Sequence, residues 1–364
     1  MEQELKIDSV LGLYSNNSNV IQITERLLND QQPNIFVKGL AGSSVGIVAA
    51  SCINRVDRPF IFILGDKEEA AYFFSDLSSI LKPEQLFFFP SSYKRSVQYG
   101  QTISEAVIQR TDVLNILPKL HHNPNQNIVI VTYPDALFEK VVTIDNLEKN
   151  TLIVKKGEKV SPSFIMDLLE EYGFERVEFV YEPGQYSIRG SIVDIFSYSA
   201  ADPYRVDFFG DEVESIRTFD VEDQLSRERL DEITLIPNMQ TGGEDLSRSL
   251  LTLLLPDTTS IWTKNCEVAI GKMNELFEIA LGIEGKSEQQ TTNDFADGKE
   301  LFNYLKTKGM VEFGLKHFFR PDLTINFECS PQPPFHKNFE LIAQNIEENL
   351  DKGYKTYILA DNKI

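Results

Sequence analysis

The sequence predicts an α/β fold interrupted by a β-rich insertion, and three observations predict it. Short apolar stretches alternate with helix-length segments over the first third of the chain. From about residue 150, strand-like stretches follow one another closely, and after Ile236-Pro237 the alternation of helix and strand resumes. Apolar strands separated by helices of ten or more residues make βαβ units and a parallel sheet, whereas strands in close succession make an antiparallel one. Residues 1–148 and 237–364 are therefore expected to be α/β in pattern, with a small antiparallel β unit at 149–236 between them.

In chain order, Asn34–Lys38 reads as a short strand, Val45–Val56 as a helix and Pro59–Leu64 as a second, buried strand. Glu68–Leu81 is expected to be an amphipathic helix, with Ala71, Phe74 and Leu77 or Ser78 at helical spacing. Leu86–Phe89 reads as a strand, Ser104–Leu117 as a helix, Ile128–Thr132 as a strand, and His121-His122-Asn123-Pro124-Asn125 as a polar connection. Within the insertion, Ser161 suits an N-cap with Pro162 at the first helical position, and Gly173 suits a C-terminal stop. Phe164, Ile165, Leu168, Leu169 and Tyr172 make the apolar face between them. Strands are expected at Val177–Tyr181, Tyr186–Ile188, Ser191–Phe196, Arg205–Phe209 and Glu212–Phe219, the last two joined by the tight turn Gly210-Asp211. Further on, Thr241–Ser249 and Glu284–Lys299 are polar and read as loops. Phe339–Leu350 is amphipathic through Phe339, Ile342, Ile346 and Leu350, Gly353 closes it, and Tyr354–Leu359 reads as a strand. An α/β sheet would normally continue past that strand, so a longer chain is expected.

The composition is that of an ordinary globular protein, 42% hydrophobic and 25% charged over 364 residues. A net charge of −20 opposes contact with phosphate backbones, and no long Lys/Arg run marks a local exception. The opening MEQELKIDSV lacks the basic and apolar regions of a signal peptide, and runs such as Phe60–Leu64 and Leu250–Leu255 are too short to cross a bilayer. Cys52, Cys266 and Cys329 lie far apart without CxxC spacing, which fits reduced thiols. A cytoplasmic protein with no membrane partner is expected.

Four features could carry chemistry. Residues 39–46, GLAGSSVG, sit where a phosphate-binding loop would join strand to helix. Such a loop needs a Lys for the phosphate oxygens and a Ser or Thr for Mg²⁺. Gly39 and Gly42 permit the turn, but those two positions hold Val45 and Gly46, and no acidic motif follows a strand to hold the metal. The loop reads as a turn that joins strand to helix. The carboxylates Asp194, Asp207, Asp211, Glu212 and Glu214 are dense enough to suggest a divalent metal, yet solvated strand faces explain them without one. His121, His122, His317 and His336 show no ligand spacing, and no GxSxG motif is present. Arg176, Arg189 and Arg205 fall in or beside strands of the insertion. Exposed arginines beside apolar strand residues suit a protein partner through carboxylate pairing, or make ordinary surface salt bridges.

The blocks YEPGQYSIRGSIVDIF (181–196) and PYRVDFFGDEVESIRTFD (203–220) resemble the signature of the UvrB-homology family, shared by the excision-repair protein UvrB and the transcription-repair coupling factor. A weaker resemblance spans the whole chain. The resemblance implies a helicase-like (RecA-like) α/β domain in two parts around an inserted antiparallel β domain, as in UvrB domains 1a, 2 and 1b. Val45 and Gly46 match the degenerate loop of the coupling factor rather than the working loop of UvrB. PSSYKRSVQYGQT is also much shorter than the UvrB segment carrying its aromatic DNA-probing hairpin, for which Tyr93 and Tyr99 are poor substitutes.

The family implies a docking module for UvrA that recruits nucleotide excision repair to a stalled RNA polymerase, with no catalysis and no cofactor in this region. ATP, Mg²⁺, DNA and RNA polymerase would be handled by parts of the family that lie further along. Matched by motif position, the family's UvrA contacts fall on Arg176, Arg189, Arg205 and Asp207, with Glu175 replacing Arg176 if the match slips by one residue. A further family arginine is Ser187 here, and Phe196 is expected in the core, with a partner-facing position as the alternative. A cryptic NTP-binding or DNA-binding helicase-like domain is the competing reading.

Overall fold

The computed structural model describes residues 7–29, 32–92, 104–198, 200, 202–236, 247–282 and 287–356. The first part runs α1 (Ile7–Ser15), α2 (Ser18–Asn29), β1 (Ile35–Lys38), α3 (Ser44–Ile53), β2 (Phe60–Ile63), α4 (Lys67–Ser78), β3 (Leu86–Phe88), α5 (Ser104–His122) and β4 (Val129–Thr132). The sequences FIFI in β2 and VIVT in β4 are buried at every position, as parallel strands covered on both faces require. Asp66 caps α4 by accepting the Glu69 N–H at 2.9 Å. The buried face of α4 is Ala70, Phe73 and Leu77, one residue from the expected Ala71 and Phe74. Both sets satisfy helical spacing, and the sheet chooses between them: Phe73 packs on Phe62 with centroids 4.9 Å apart, while Phe74 meets the edge residue Phe88. Helix α5 continues through Pro118, so His121 and His122 form its last turn and not a polar connection. Proline removes one N–H, whereas Leu117 and Leu120 are both fully buried and hold the helix to the core.

Helix α6 (Pro134–Phe138), β5 (Val141–Val142) and α7 (Ile144–Lys149) lead into the insertion. It comprises β6 (Leu152–Lys155), α8 (Pro162–Glu171), β7 (Glu175–Arg176), β8 (Gln185–Arg189), β9 (Ile192–Ile195), β10 (Tyr204–Phe209), β11 (Glu212–Phe219), β12 (Ser226–Leu230) and β13 (Glu232–Leu235). Ser161 accepts the Phe164 N–H at 3.2 Å, so α8 starts where its cap sequence places it. Ile165 and Leu169 are its buried residues, and Phe164 is exposed. The six-stranded sheet has the order β12-β11-β10-β9-β8-β7, antiparallel except for β7 on β8. Val177–Tyr181 is not the strand its sequence suggests. Pairing stops at Arg176, and the chain crosses the sheet so that Val177 and Val180 pack with Phe196 and Phe219. The sequence SRERL of β12 has no apolar alternation and forms a strand by pairing with β11 alone. β6 pairs antiparallel with β13, Leu152 opposite Leu235, which brings both ends of the insertion together.

The last part runs β14 (Arg248–Ser249), β15 (Ser260–Lys264), α9 (Cys266–Leu281), α10 (Glu288–Asp294), α11 (Gly298–Lys306), β16 (Met310–Phe313), β17 (Leu323–Asn326) and α12 (Phe339–Asp351). The polar stretch Glu284–Lys299, expected as a loop, contains α10 and the start of α11. Ser287 and Gln290 form a capping box, a start signal that outweighs the polarity of the residues after it. Residues 354–356 are not in a strand; the rest of the expected Tyr354–Leu359 strand, and 241–246, lie outside the described residues. The parallel sheet has the order β17-β1-β16-β15-β2-β4-β3, so strands from both sides of the insertion interleave. No described helix is long and apolar enough to cross a membrane.

Asp112 on α5 lies near Tyr204 of β10, where the two units meet, and its charge raises the Tyr204 hydroxyl further than burial alone. Burial pushes the Asp112 carboxyl up to about 6. A carboxyl with a raised folded pKa keeps its proton where the unfolded chain has released it, so stability falls as pH rises from about 4 towards 6. Asp112→Asn should therefore raise the melting temperature at pH 7.5 and leave it nearly unchanged at pH 4, as thermal melts at the two pH values would show.

Candidate docking face

Alternation along β8–β11 sorts the inserted sheet into two faces. Tyr186, Ile188, Val193, Ile195, Val206, Phe208 and Ile216 pack together with Ile165 and Leu169 of α8. The opposite, outer face carries Ser187, Arg189, Asp194, Arg205, Asp207 and Arg217. The register there sets Ser187 opposite Asp194, Asp194 opposite Arg205, and Arg205 opposite Arg217.

Asp194 organises this face. Its side chain is 1% exposed, a costly place for an ion unless its oxygens are fully engaged. Arg205 donates Nε to Oδ1 at 2.7 Å and Nη2 to Oδ2 at 2.9 Å, a two-pronged fork, and Arg189 Nη2 donates to the same Oδ2. The hydrogen bond to Asp194 raises the Arg205 pKa above its ordinary value. A third Arg205 bond runs from Nη1 to the Gln224 carbonyl at 3.0 Å. Each guanidinium lies over an aromatic ring: Arg205 at 4.4 Å from the Phe219 centroid and Arg189 at 5.1 Å from Phe179. Asp207 accepts the Ser191 hydroxyl at 3.0 Å and faces Arg217 at 3.7 Å.

The structure divides the residues that the sequence singled out. Arg189, Arg205 and Asp207 share the outer face. Arg176 stands opposite Tyr186, on the α8 side, whose hydroxyl donates to Glu170 at 3.0 Å. Glu175, opposite Gln185, is the β7 residue on the outer face. Arg205 is only 13% exposed, against 38% for Arg189, so the exposed-arginine reading holds for Arg189 and not for Arg205. Asp194, read from sequence as a solvated charge, is instead buried; its position between Val193 and Ile195 signals the environment but not the partner. Among the described residues no acidic or histidine cluster could hold a metal. Ser187 is buried and donates to the Glu178 carbonyl at 2.8 Å, which pins the segment crossing the outer face. Phe196 is buried with Val180 and Phe219. Phe179 and Gln224 carried no sequence signal, because they join the arginines only through the crossing segment and the turn before β12, while Phe219 ends β11.

The GLAGSSVG turn joins β1 of the parallel sheet to α3. Gly39 has φ of +77°, and a Cβ there would come within 1.8 Å of the Phe327 carbonyl oxygen. Val45 packs against the main core, and a Cβ on Gly46 would stand 3.3 Å from Cβ of Asp76 on α4. No cation occupies position 45, no hydroxyl occupies 46, and a carboxylate lies beside it. These residues do not fit a magnesium–nucleoside triphosphate.

Two substitutions separate structural from chemical roles. Asp194→Asn leaves the nearly buried Arg205 without a counter-charge and should lower stability by about 2–4 kcal/mol in urea denaturation. Gly39→Ala combines left-handed backbone strain with the Phe327 overlap and should cost more than about 2 kcal/mol by the same measurement.

Residues 152–240 match the family model of the UvrB interaction domain. The chain is 30% identical over 203 residues to the transcription-repair-coupling factor of Bacillus subtilis, covering 56% of this chain and 17% of that protein. It is 37% identical over 130 residues to the coupling factor of Haemophilus influenzae, covering 35% and 11%. With UvrABC system protein B of Thermosipho africanus it shares 23% identity over 226 residues, 59% of this chain and 34% of that protein. The chain thus matches about a third or less of the length of these relatives. It carries the UvrB-homology module of the transcription-repair-coupling-factor family, with a UvrB interaction domain as its β-rich insertion.

Proposed function

We propose that this chain docks the repair protein UvrA through the outer face of the inserted sheet, and so recruits nucleotide excision repair to stalled RNA polymerase. The observation that carries this reading is the Asp194 clamp, which lies within the residues matching the UvrB interaction domain and holds Arg189 at the surface. A guanidinium fixed by a buried carboxylate and stacked on Phe179 has lost most of its rotamer freedom before any partner arrives. Its remaining N–H groups can pair with a partner carboxylate, the bidentate recognition for which arginine is suited. Asp207 adds an acceptor on the same face for a partner cation. Arg205 acts as the support of Asp194 rather than as a contact. In this reading the module catalyses nothing, and ATP, Mg²⁺, DNA and RNA polymerase belong to other parts of the longer relatives.

The test is binding of this chain to purified UvrA at moderate salt, wild type beside Arg189→Ala. The substitution should weaken binding by about 1–3 kcal/mol, the range for one arginine anchor. Stability should be nearly unchanged, because Arg205 keeps both Asp194 oxygens paired. A well-folded wild type that fails to bind, or a variant that unfolds, would overturn the assignment.

A further inference from the structure

The outer face continues beyond the clamp. Arg205 on β10 stands opposite Arg217 on β11, and Arg217 stands opposite Arg229 on β12, so three arginines lie in line across adjacent strands. Like charges directly opposite one another destabilise a sheet, and this chain carries a net charge of −20, so a basic row runs against both trends. Asp194 neutralises Arg205. Arg217 reaches Asp207 only at 3.7 Å, and its buried Nε meets no acceptor. Arg229 is exposed on the terminal strand of the sheet, and among the described residues no hydrogen bond or ion pair engages its side chain. Arg227, two residues earlier, is already held by Asp220. The row is therefore neutralised at one end and open at the other.

We propose that Arg217 and Arg229 extend the docking surface to the β12 edge and bind carboxylates presented by an acidic helix of the partner lying across the strands. The proposal rests on the UvrA-docking reading above. Spacing selects the helix. Arginines on neighbouring strands repeat at about 4.8 Å. Carboxylates three or four residues apart on a helix stand about 5–6 Å apart. On an extended strand, residues of one face repeat at about 6.6 Å and fall out of step. Such an interface also steers association, because the row is a local positive strip on an otherwise acidic molecule.

The experiment measures UvrA binding by wild type, Arg217→Gln, Arg229→Glu and Arg189→Ala, with a thermal melt of each. Arg229→Glu should weaken binding at least about tenfold and melt no lower than wild type, since it removes a like-charge opposition. Arg217→Gln should weaken binding less and flatten its salt dependence. Unchanged binding by Arg229→Glu beside weakened binding by Arg189→Ala overturns the extension and leaves the docking reading standing. A marked loss of melting temperature in Arg229→Glu makes the residue structural and also overturns it. If wild type does not bind UvrA, the docking reading fails, and a synthetic alanine-based helix with glutamates four residues apart decides the extension. Low-salt binding of that helix by wild type that Arg217→Gln/Arg229→Glu abolishes supports the row; equal binding by both overturns it.

Discussion

Parallel pairing of β15 and β16 between β2 and β1 is the constraint on which the rest of the molecule depends. β2 pairs with β15, and β1 lies between β16 and β17, so the two early strands are separated by strands formed after the insertion. The central sheet cannot close until the chain has returned from its excursion. The excursion must therefore leave and rejoin at one place, and the pairings of β6 with β13 and β5 with β14 hold it there. A lobe that leaves and rejoins at one place can cover one face of its own sheet with α8 and leave the other to a crossing segment and solvent.

Among the described residues, buried carboxylates pair with arginines in two settings. Arg110 and Glu139 lie 3.5 Å apart inside the first part, with the Arg110 guanidinium also donating to the carbonyls of Pro90, Ala136 and Glu139. Ser91 and Ser92 complete the Glu139 carboxylate, so this pair is enclosed and spends its charge within the fold. Asp194 is equally buried, but it sits one layer beneath the surface and has two cations above it. There the carboxylate sets where an arginine points while leaving part of that arginine in water. The same chemistry serves cohesion in one place and presentation in the other.

The turn at residues 39–46 joins β1 to α3 without the cation or hydroxyl that phosphate chemistry needs at positions 45 and 46. What maintains it is backbone contact: the Cys329 N–H donates to the Gly39 carbonyl at 3.0 Å, and Phe327 to Lys38 at 2.8 Å, so the strand β17 and its continuation close over the turn. A glycine needed for close approach persists whether or not a ligand is bound, which makes such a motif weak testimony to activity.

Much of the architecture is legible in the sequence, because period is a local property. The apolar runs of β1, β2 and β4, the Ser161-Pro162 start of α8 and the Gly210-Asp211 turn each specify their element through a few neighbouring residues. Where two periods fit equally, as on α4, or where pairing alone makes a strand, as in β12, local information runs out. The motif around Arg189 and Asp194 likewise marks a site by its residue types. By itself the sequence determined an α/β protein with a β-rich insertion and named the arginines of interest. Only the tertiary structure decided that Arg176 falls on the helix side, that Arg205 is mostly buried and that Asp194 lies beneath the surface paired with both Arg189 and Arg205. Those facts depend on strand register and on what lies across a sheet, and a side chain's face and partner are set by residues distant in the chain.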